Sequence, residues 1–109
     1  MKLEVGMYVR TKGGFIDKII SFKSTISNDY VELEDEYYAN KKDILKASYN
    51  IGKLLEAGDF LDYHCIAKIE GTTIFLKDGW YIDFDDVEDL VDTICTREQF
   101  ESISYKVGE

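Results

Sequence analysis

Near its start the chain reads Leu3-Glu4-Val5-Gly6-Met7-Tyr8-Val9, and near its middle it reads Leu55-Glu56-Ala57-Gly58-Asp59-Phe60-Leu61. Both heptads follow one pattern: Leu, Glu, a small apolar residue, Gly, a variable residue, an aromatic residue and an aliphatic residue. A run of short apolar segments comes after each heptad. The heptads therefore predict that the chain contains two copies of one structural unit.

The similarity between the two halves continues beyond the heptads. Residues 16–19 and residues 66–69 share the pattern Ile-x-Lys-Ile, and each half then has a Tyr five residues before an Asp, Tyr38 in the first and Tyr81 in the second. The offset between matching positions falls from 52 residues at the glycines to 43 at the tyrosines. We place the lost residues in loops, because loops absorb changes of length with little effect on stability. Blocks that recur in one order predict an internal duplication.

Apolar and polar residues alternate within each copy, as they do in half-buried β-strands. Turn signals separate the short apolar runs, most clearly at Lys12-Gly13-Gly14 and Glu70-Gly71, because glycine allows the positive φ of tight turns. Many short strands with regular turns are typical of small barrels and sandwiches. The sequence therefore predicts a mainly β protein of two tandem SH3-like small barrels, over residues 1–48 and 49–109, with short helical turns.

Three segments have helical signals. Residues 41–47 are compatible with one helical turn, and Ser48 or Asn50 is placed to cap a turn that leads to Leu54. Thr96 and Gln99 have the spacing of a capping box. We therefore expect a short helix at about residues 96–101, followed by a closing strand over residues 102–107.

Composition indicates a folded protein without a membrane segment. Of the 109 residues, 45% are hydrophobic and 14% aromatic, which is enough for a core, and no apolar run approaches the roughly 20 residues of a membrane helix. The first strand begins too soon after Met1 to leave room for a signal peptide. Cys65 and Cys95 are expected to be reduced and half-buried. These features predict a cytoplasmic location.

The net charge of −9 is unevenly distributed. Residues 1–54 carry nine Lys and Arg against eight Asp and Glu, whereas residues 55–109 carry four against fourteen. An excess of negative charge repels nucleic acid and steers association toward basic partners. Direct binding to DNA or RNA is therefore not expected, and a basic protein partner is.

Three stretches carry a resemblance to a known group of proteins: Gly6-Met7-Tyr8-Val9-Arg10-Thr11-Lys12, residues 48–60, and Thr96-Arg97-Glu98-Gln99-Phe100-Glu101-Ser102. Together they resemble a recurrent pattern in small uncharacterised proteins of Firmicutes phages and prophages. The resemblance covers both ends and the middle of the chain and implies a phage or prophage origin. That group has no assigned activity, so no site residue is transferred from it.

The densest cluster of chemistry-bearing residues is Asp83-Phe84-Asp85-Asp86-Val87-Glu88-Asp89. It fails as a calcium-binding loop, because a loop starting at Asp83 would have Val87 at position 5, Glu88 at the glycine position and Ile94 at the final glutamate position. A solvated acidic loop is the simplest interpretation. The functional alternative is that the carboxylates imitate the phosphates of a nucleic acid and occupy a basic groove. The predicted partner-binding residues are Trp80, Tyr81, Asp83, Asp85, Asp86, Glu88 and Asp89.

Other candidate chemistries find less support in the sequence. His64 and Cys65 are adjacent, so on a strand their side chains diverge and do not form a catalytic pair; a zinc site would need more ligands. Tyr37-Tyr38 and Trp80-Tyr81 fall at equivalent places in the two copies and suggest either aromatic cages for methylated cations or exposed anchors for a protein. No enzymatic activity, metal or cofactor is predicted.

The sequence thus predicts a non-enzymatic, acidic protein-binding module. It is expected to be a phage-encoded accessory protein that blocks a basic, nucleic-acid-binding surface of a host protein, as an anti-CRISPR inhibitor does. The alternative is a protein that sequesters a nucleotide or another small phosphorylated metabolite in the cleft between the repeats. Its cationic ligands would be Arg10, Lys12, Lys41 and Lys42.

Overall fold

A computed structural model describes residues 2–24, 26, 29–35 and 37–103. The chain divides into two compact units, Met1–Leu54 and Leu55–Glu109. Each unit contains one five-stranded antiparallel sheet and a few short helical segments. The predicted mainly β class is therefore confirmed.

The first unit contains β1 (Tyr8–Thr11), β2 (Ile16–Ser24), β3 (Asp29–Leu33), β4 (Tyr38–Asn40) and β5 (Ile44–Ser48). Its strands are ordered β4-β3-β2-β1-β5. One 3₁₀ turn, Lys41–Asp43, links β4 to β5, and a second, Ile51–Leu54, follows β5. Residues 41–47 therefore hold a single short turn, after which the chain becomes β5 and pairs with β1.

The second unit contains β6 (Phe60–Leu61), β7 (His64–Glu70), β8 (Thr73–Leu76), β9 (Tyr81–Asp83) and β10 (Ile94–Cys95). Its strands are ordered β10-β6-β7-β8-β9. A 3₁₀ turn, Phe84–Asp86, runs into helix α1 (Val87–Leu90), and helix α2 (Arg97–Ile103) follows β10. Within the described part of the chain, no helix is long and apolar enough to cross a membrane.

The two sheets have the same pairing order. In each unit the first four strands of the chain are neighbours in the order in which they occur. The fifth strand pairs with the free edge of the first. The outer strands are β4 and β5 in the first unit, and β9 and β10 in the second. Among the described residues no hydrogen-bond ladder joins these outer strands, so the prediction that each repeat is a small barrel is not confirmed and both sheets are open.

Alternating apolar side chains form the buried interior of the first unit. Its core consists of Val9, Ile19, Val31, Leu33, Ala39 and Ile44, all at most 5% exposed. Removing such side chains from water contributes about 1.5–3 kcal/mol for each large aliphatic residue. In the second unit the buried apolar residues include Leu61, Ile66, Ile74 and Val87.

The segment after β5 belongs to the first unit. Leu54 is 1% exposed, and its carbonyl accepts a hydrogen bond from Nη1 of the buried Arg10 at 3.1 Å. Asn50 caps the turn before it, because its Oδ1 accepts from the amide of Gly52 at 2.9 Å. The unit boundary therefore lies at Leu54, later in the chain than the predicted boundary after residue 48.

The glycines of the two heptads occupy equivalent positions. Gly6 and Gly58 have φ angles of 94° and 95°, a region that glycine adopts without strain. The amide of Gly6 donates to Ile19, and that of Gly58 donates to Ile66, both at 2.9 Å. Ile66 therefore corresponds to Ile19 rather than to residue 16, because the β1–β2 hairpin is longer than the β6–β7 hairpin.

The third and fourth strands also correspond between the units. The amide of Leu33 donates to the carbonyl of Tyr37, and that of Leu76 donates to the carbonyl of Trp80, both at 2.8 Å. This pairing makes Tyr37 equivalent to Trp80, at the offset of 43 residues already found at the tyrosines. The prediction that the length differences lie in loops is wrong in part, because β2 has nine residues and β7 has seven, and β3 has five and β8 has four.

Helix α2 begins with the predicted capping box. The amide of Thr96 donates to Oε1 of Gln99 at 3.0 Å, and the amide of Gln99 donates to Oγ1 of Thr96 at 3.3 Å. The helix continues to Ile103, so the prediction that residues 102 and 103 belong to a closing strand is wrong. The rest of that predicted strand, residues 104–107, lies outside the described residues.

Candidate functional site

The two predicted anchor rings are Trp80, which ends the β8–β9 loop, and Tyr81, the first residue of β9. Trp80 is 71% exposed and Tyr81 is 72% exposed. Tyr81 pairs with Phe75 of β8, and the centroids of the two rings are 6.3 Å apart. Rings stabilise a fold mainly through the apolar area they bury, so rings this exposed contribute little to folding and are accessible to a partner.

Hydrogen bonds hold the loop that carries Trp80. The carbonyl of Trp80 accepts from the amide of Leu76 at 2.8 Å, and the amide of Gly79 donates to the carbonyl of Leu76 at 3.1 Å. In the same loop, Oδ2 of Asp78 lies 2.5 Å from Nδ1 of His64 on β7. These contacts fix the backbone of the loop that carries the Trp80 side chain.

Asp83 has a structural role among the predicted acidic residues. Its Oδ1 accepts from the amide of Asp85 at 3.0 Å and caps the 3₁₀ turn. Its Oδ2 accepts from Oγ1 of Thr72 at 3.1 Å. Asp83 is half-buried, so it positions the cluster and presents less of its own charge to solvent.

The remaining carboxylates of the cluster face solvent. Asp85, Asp86, Glu88 and Asp89 are all exposed, whereas Val87 between them is 1% exposed and anchors the segment to the second unit. Acidic residues near the beginning of a helix are also stabilised by its dipole, which accounts for part of the clustering. We call Trp80, Tyr81, Asp85, Asp86, Glu88 and Asp89 the acidic-aromatic surface.

One cation lies on the sheet face beside this surface. Lys68 pairs with Phe75 across β7 and β8, and its Nζ lies 5.2 Å from the centroid of that ring. Lys68 also forms an ion pair with Glu70 at 2.9 Å. The charge of Lys68 is therefore matched locally by Glu70.

The four predicted cationic ligands do not lie together. Arg10 is buried against the segment that ends at Leu54, and Nζ of Lys41 lies 5.1 Å from the centroid of the Phe22 ring. Lys12 and Lys42, in contrast, line one groove of about 460 Å³ in the first unit. The sequence pattern placed all four side chains in one site, and the structure brings two of them together.

Three tyrosines that no sequence pattern associates with the lysines line the same groove. They are Tyr30, Tyr37 and Tyr38, and the other lining residues include Thr11, Asn40 and Asp43. We call this site the tyrosine-lysine groove. The Tyr37-Tyr38 pair was visible in the sequence, but its proximity to the β1–β2 turn depends on long-range pairing.

A second cavity lies in the second unit. It has a volume of about 310 Å³ and is lined by Phe60, Tyr63, Thr93, Cys95 and Phe100. The rings of Phe60 and Phe100 pack with centroids 4.9 Å apart.

Neither cysteine forms a disulfide, and both are half-buried, as predicted. On β7, His64 is exposed while Cys65 is half-buried, with its Sγ 3.8 Å from the carbonyl oxygen of Ile66. Among the described residues, no group of three or more His, Cys, Asp or Glu is arranged to hold a metal ion.

Asp62 is a charged residue that the sequence analysis did not single out. Its carboxylate accepts from the amides of Thr93 at 2.7 Å and Asp92 at 3.1 Å, and from Oγ1 of Thr93. The bond from the Thr93 amide, followed by that from the Asp92 amide, lowers the pKa of Asp62. Asp62 therefore fixes the segment between α1 and β10.

The chain was compared with known proteins at the level of sequence family and of fold. No family model, curated protein or solved structure matches it.

Proposed function

We propose that the protein is a non-enzymatic binding module that docks its acidic-aromatic surface onto a basic, nucleic-acid-binding surface of another protein. The observation that carries this proposal is the exposure of Trp80 and Tyr81, 71% and 72%, beside four exposed carboxylates. Docking covers the partner's cationic groove and prevents nucleic acid from entering it.

The chemistry of the surface fits this type of contact. Tryptophan and tyrosine are enriched among the residues that dominate binding energy at protein interfaces, because they bury large areas with few rotatable bonds. Carboxylates at the rim accelerate encounter with a basic surface and reject acidic ones. Together these groups favour a basic protein over nucleic acid, which the charge of −9 repels.

The fold supports a second part of the proposal, that the two units are SH3-like repeats from an internal duplication. Both sheets have the same strand order, and the heptad glycines make equivalent hydrogen bonds. In both units a side-chain oxygen at the end of the fourth strand, from Asn40 or Asp83, caps the following 3₁₀ turn. The equivalent second residues of these turns are Lys42 and Asp85, so the two units present opposite charges at one position.

The proposed biological setting rests on the resemblance to phage and prophage proteins and on the small, acidic character of the chain. A phage accessory protein in the bacterial cytoplasm that inhibits a nucleic-acid-targeting defence system, of the anti-CRISPR kind, would use such a surface. Its action would be stoichiometric, with no covalent step.

The test is capture of partners from bacterial lysate by the immobilised chain and by two triple variants. The first, Asp85→Asn/Asp86→Asn/Asp89→Asn, neutralises the acidic-aromatic surface. The matched control, Asp29→Asn/Glu34→Gln/Asp35→Asn, removes the same charge from exposed positions of the first unit. Captured proteins are identified and then challenged with duplex DNA and with RNA.

The proposal predicts a basic partner that the control variant retains and the surface variant loses. Added nucleic acid should release the partner, and raising the salt concentration should weaken capture, because exposed charges are screened beyond about 10 Å at 0.1 M salt. A partner that binds the surface variant as well as the parent chain, and resists nucleic acid, would contradict the proposed docking site.

A further inference from the structure

The tyrosine-lysine groove brings cationic and aromatic side chains together in the first unit. Its volume of about 460 Å³ is within the range of small-molecule sites, roughly 300–1,000 Å³. We infer that this groove binds a small anionic ligand with a planar ring, of the size and chemistry of a nucleoside monophosphate. This function is separate from the protein docking proposed for the second unit and does not depend on it.

The two lysines are held close by the backbone rather than by their own side chains. The amide of Lys12 donates to the carbonyl of Asp43, the residue after Lys42, at 2.8 Å. The neighbouring residues Thr11 and Ile44 are partners in the β1–β5 ladder. Two exposed ammonium groups on adjoining segments repel each other, and an anion placed between them relieves that repulsion.

One carboxylate in the groove limits the charge of the ligand. Asp43 is among the lining residues with Lys12 and Lys42, so the lining carries a net charge of about +1. The first 54 residues are also close to neutral, with nine basic and eight acidic residues. A ligand with one phosphate is therefore favoured over a polyphosphate or a nucleic acid strand.

The tyrosines supply flat surfaces whose positions are set by the sheet. Tyr30 lies opposite Asn40 on β3 and β4, and Tyr38 lies opposite Glu32, so Tyr30 and Tyr38 are on the same face. The hydroxyl of Tyr38 also donates to Oε2 of Glu32 at 3.4 Å. Bases of every type stack favourably on aromatic side chains, because each base has a flat π-face.

The third ring, Tyr37, packs against Phe15 with centroids 5.2 Å apart. This contact restricts the Tyr37 side chain, so a ligand loses less free energy to ordering it. The groove therefore has rings held by the sheet and by Phe15, with one lysine in the β1–β2 turn and one in the 3₁₀ turn Lys41–Asp43.

The second unit offers an internal comparison. The residue equivalent to Lys42 there is Asp85, each being the second residue of a 3₁₀ turn capped from the end of the fourth strand. The aromatic pair is retained as Trp80 and Tyr81. An anionic ligand is thus attracted at this position in the first unit and repelled at it in the second.

The test is a titration of the full ¹⁵N-labelled chain with AMP, GMP, CMP and UMP, followed by amide chemical shifts. Adenosine and inorganic phosphate are titrated separately, because each carries one half of the proposed chemistry. At least one nucleotide should shift the amides of Lys12, Gly13, Asn40 and Lys42, with a Kd below about 1 mM. Adenosine and phosphate should each bind at least about tenfold more weakly, a factor that corresponds to 1.4 kcal/mol.

Variants test whether the side chains act as proposed. Lys12→Gln/Lys42→Gln should weaken nucleotide binding at least about tenfold, whereas the control Lys2→Gln/Lys53→Gln, at two other exposed positions, should leave it unchanged. Tyr38→Leu should remove the preference for the nucleotide over phosphate. The inference is overturned if no nucleotide shifts these amides at millimolar concentration, if phosphate binds as tightly as the nucleotide, or if the Lys12/Lys42 variant binds like the control.

Discussion

Replacing Asp59 with alanine should destabilise the protein more than any exposed acidic substitution. Asp59 is 0% exposed although its side chain is polar. Its Oδ2 accepts from the amide of Glu56 at 2.7 Å, and its Oδ1 accepts from the amide of Arg97 at 2.8 Å. The carboxylate thus joins the second heptad to the first turn of α2, two segments that are 38 residues apart.

The expected magnitude follows from these two bonds. A hydrogen bond to a charged group contributes about 1.5–3 kcal/mol, so the two bonds together give roughly 3–6 kcal/mol. Part of this is offset, because alanine also removes the unfavourable desolvation of a buried carboxylate. We expect Asp59→Ala to lower the free energy of unfolding by about 2–4 kcal/mol. Asp59→Asn should fall between the parent chain and Asp59→Ala, because its amide oxygen still accepts one bond.

Urea unfolding followed by far-ultraviolet circular dichroism measures these differences. Asp89→Ala serves as the matched control, because Asp89 is exposed and surface substitutions usually change stability by less than about 0.5 kcal/mol. A midpoint for Asp59→Ala that coincides with that of Asp89→Ala, at equal slope, would refute the proposed role of the buried carboxylate.

Two further predictions concern the hairpin between β6 and β7. Asp62 and Tyr63 both have positive φ angles, 47° and 74°, which suit a type I′ turn but disfavour a bulky residue. Tyr63→Gly should therefore raise the free energy of unfolding by about 1 kcal/mol in the same urea assay. Unchanged or lower stability of this variant would contradict the prediction. The pKa of Asp62 is lowered in the folded state by bonds from the backbone of Thr93 and Asp92. Its contribution to stability is therefore complete above its unfolded pKa of about 3.8 and is lost as the pH falls through the lower folded value. Asp62→Asn should make the melting temperature less dependent on pH in that acidic range, and an acid limb identical to that of the parent chain would argue against the pKa assignment.

Much of the local structure is readable from the sequence because it depends on short-range chemistry. The capping box at Thr96 and Gln99, the turn at Gly13-Gly14 and the cap at Asn50 all involve residues within four positions of one another. The glycines of the two heptads, Gly6 and Gly58, have nearly the same φ angle, so the shared sequence pattern corresponds to a shared backbone conformation. Each of these features depends on the residue types within one short segment, so a local sequence pattern predicts it.

Other features depend on contacts that no local pattern contains. The turn at Asp62-Tyr63 lacks glycine, so it carried no turn signal. The sequence suggests Arg10 as a ligand for an anion, but Arg10 is buried and its Nη1 donates to the carbonyl of Leu54, 44 residues along the chain. Helix α2 extends to Ile103, and the ring of Phe100 on it packs on Phe60, a contact that helps to favour helix over the predicted strand.

The candidate site was predictable in part for the same reasons. The exposure and charge of the acidic-aromatic surface follow from a polar segment that contains Trp80 and Tyr81. The roles of individual carboxylates do not, because the half-burial of Asp83 and its bonds to Thr72 and to the following turn depend on its place at the end of β9. The tyrosine-lysine groove required the pairing of β1 with β5, which joins Lys12 to Asp43 across 31 residues.

The most direct test of the proposed docking uses Trp80, the only tryptophan of the chain. Labelling with 5-fluorotryptophan gives one ¹⁹F resonance that reports on this side chain within any complex. When a captured partner is added, the proposed docking predicts that the resonance shifts or broadens and loses its sensitivity to solvent. A partner that binds with comparable affinity while this resonance stays at its free position would show that the complex forms elsewhere, and the acidic-aromatic surface would no longer be the binding site.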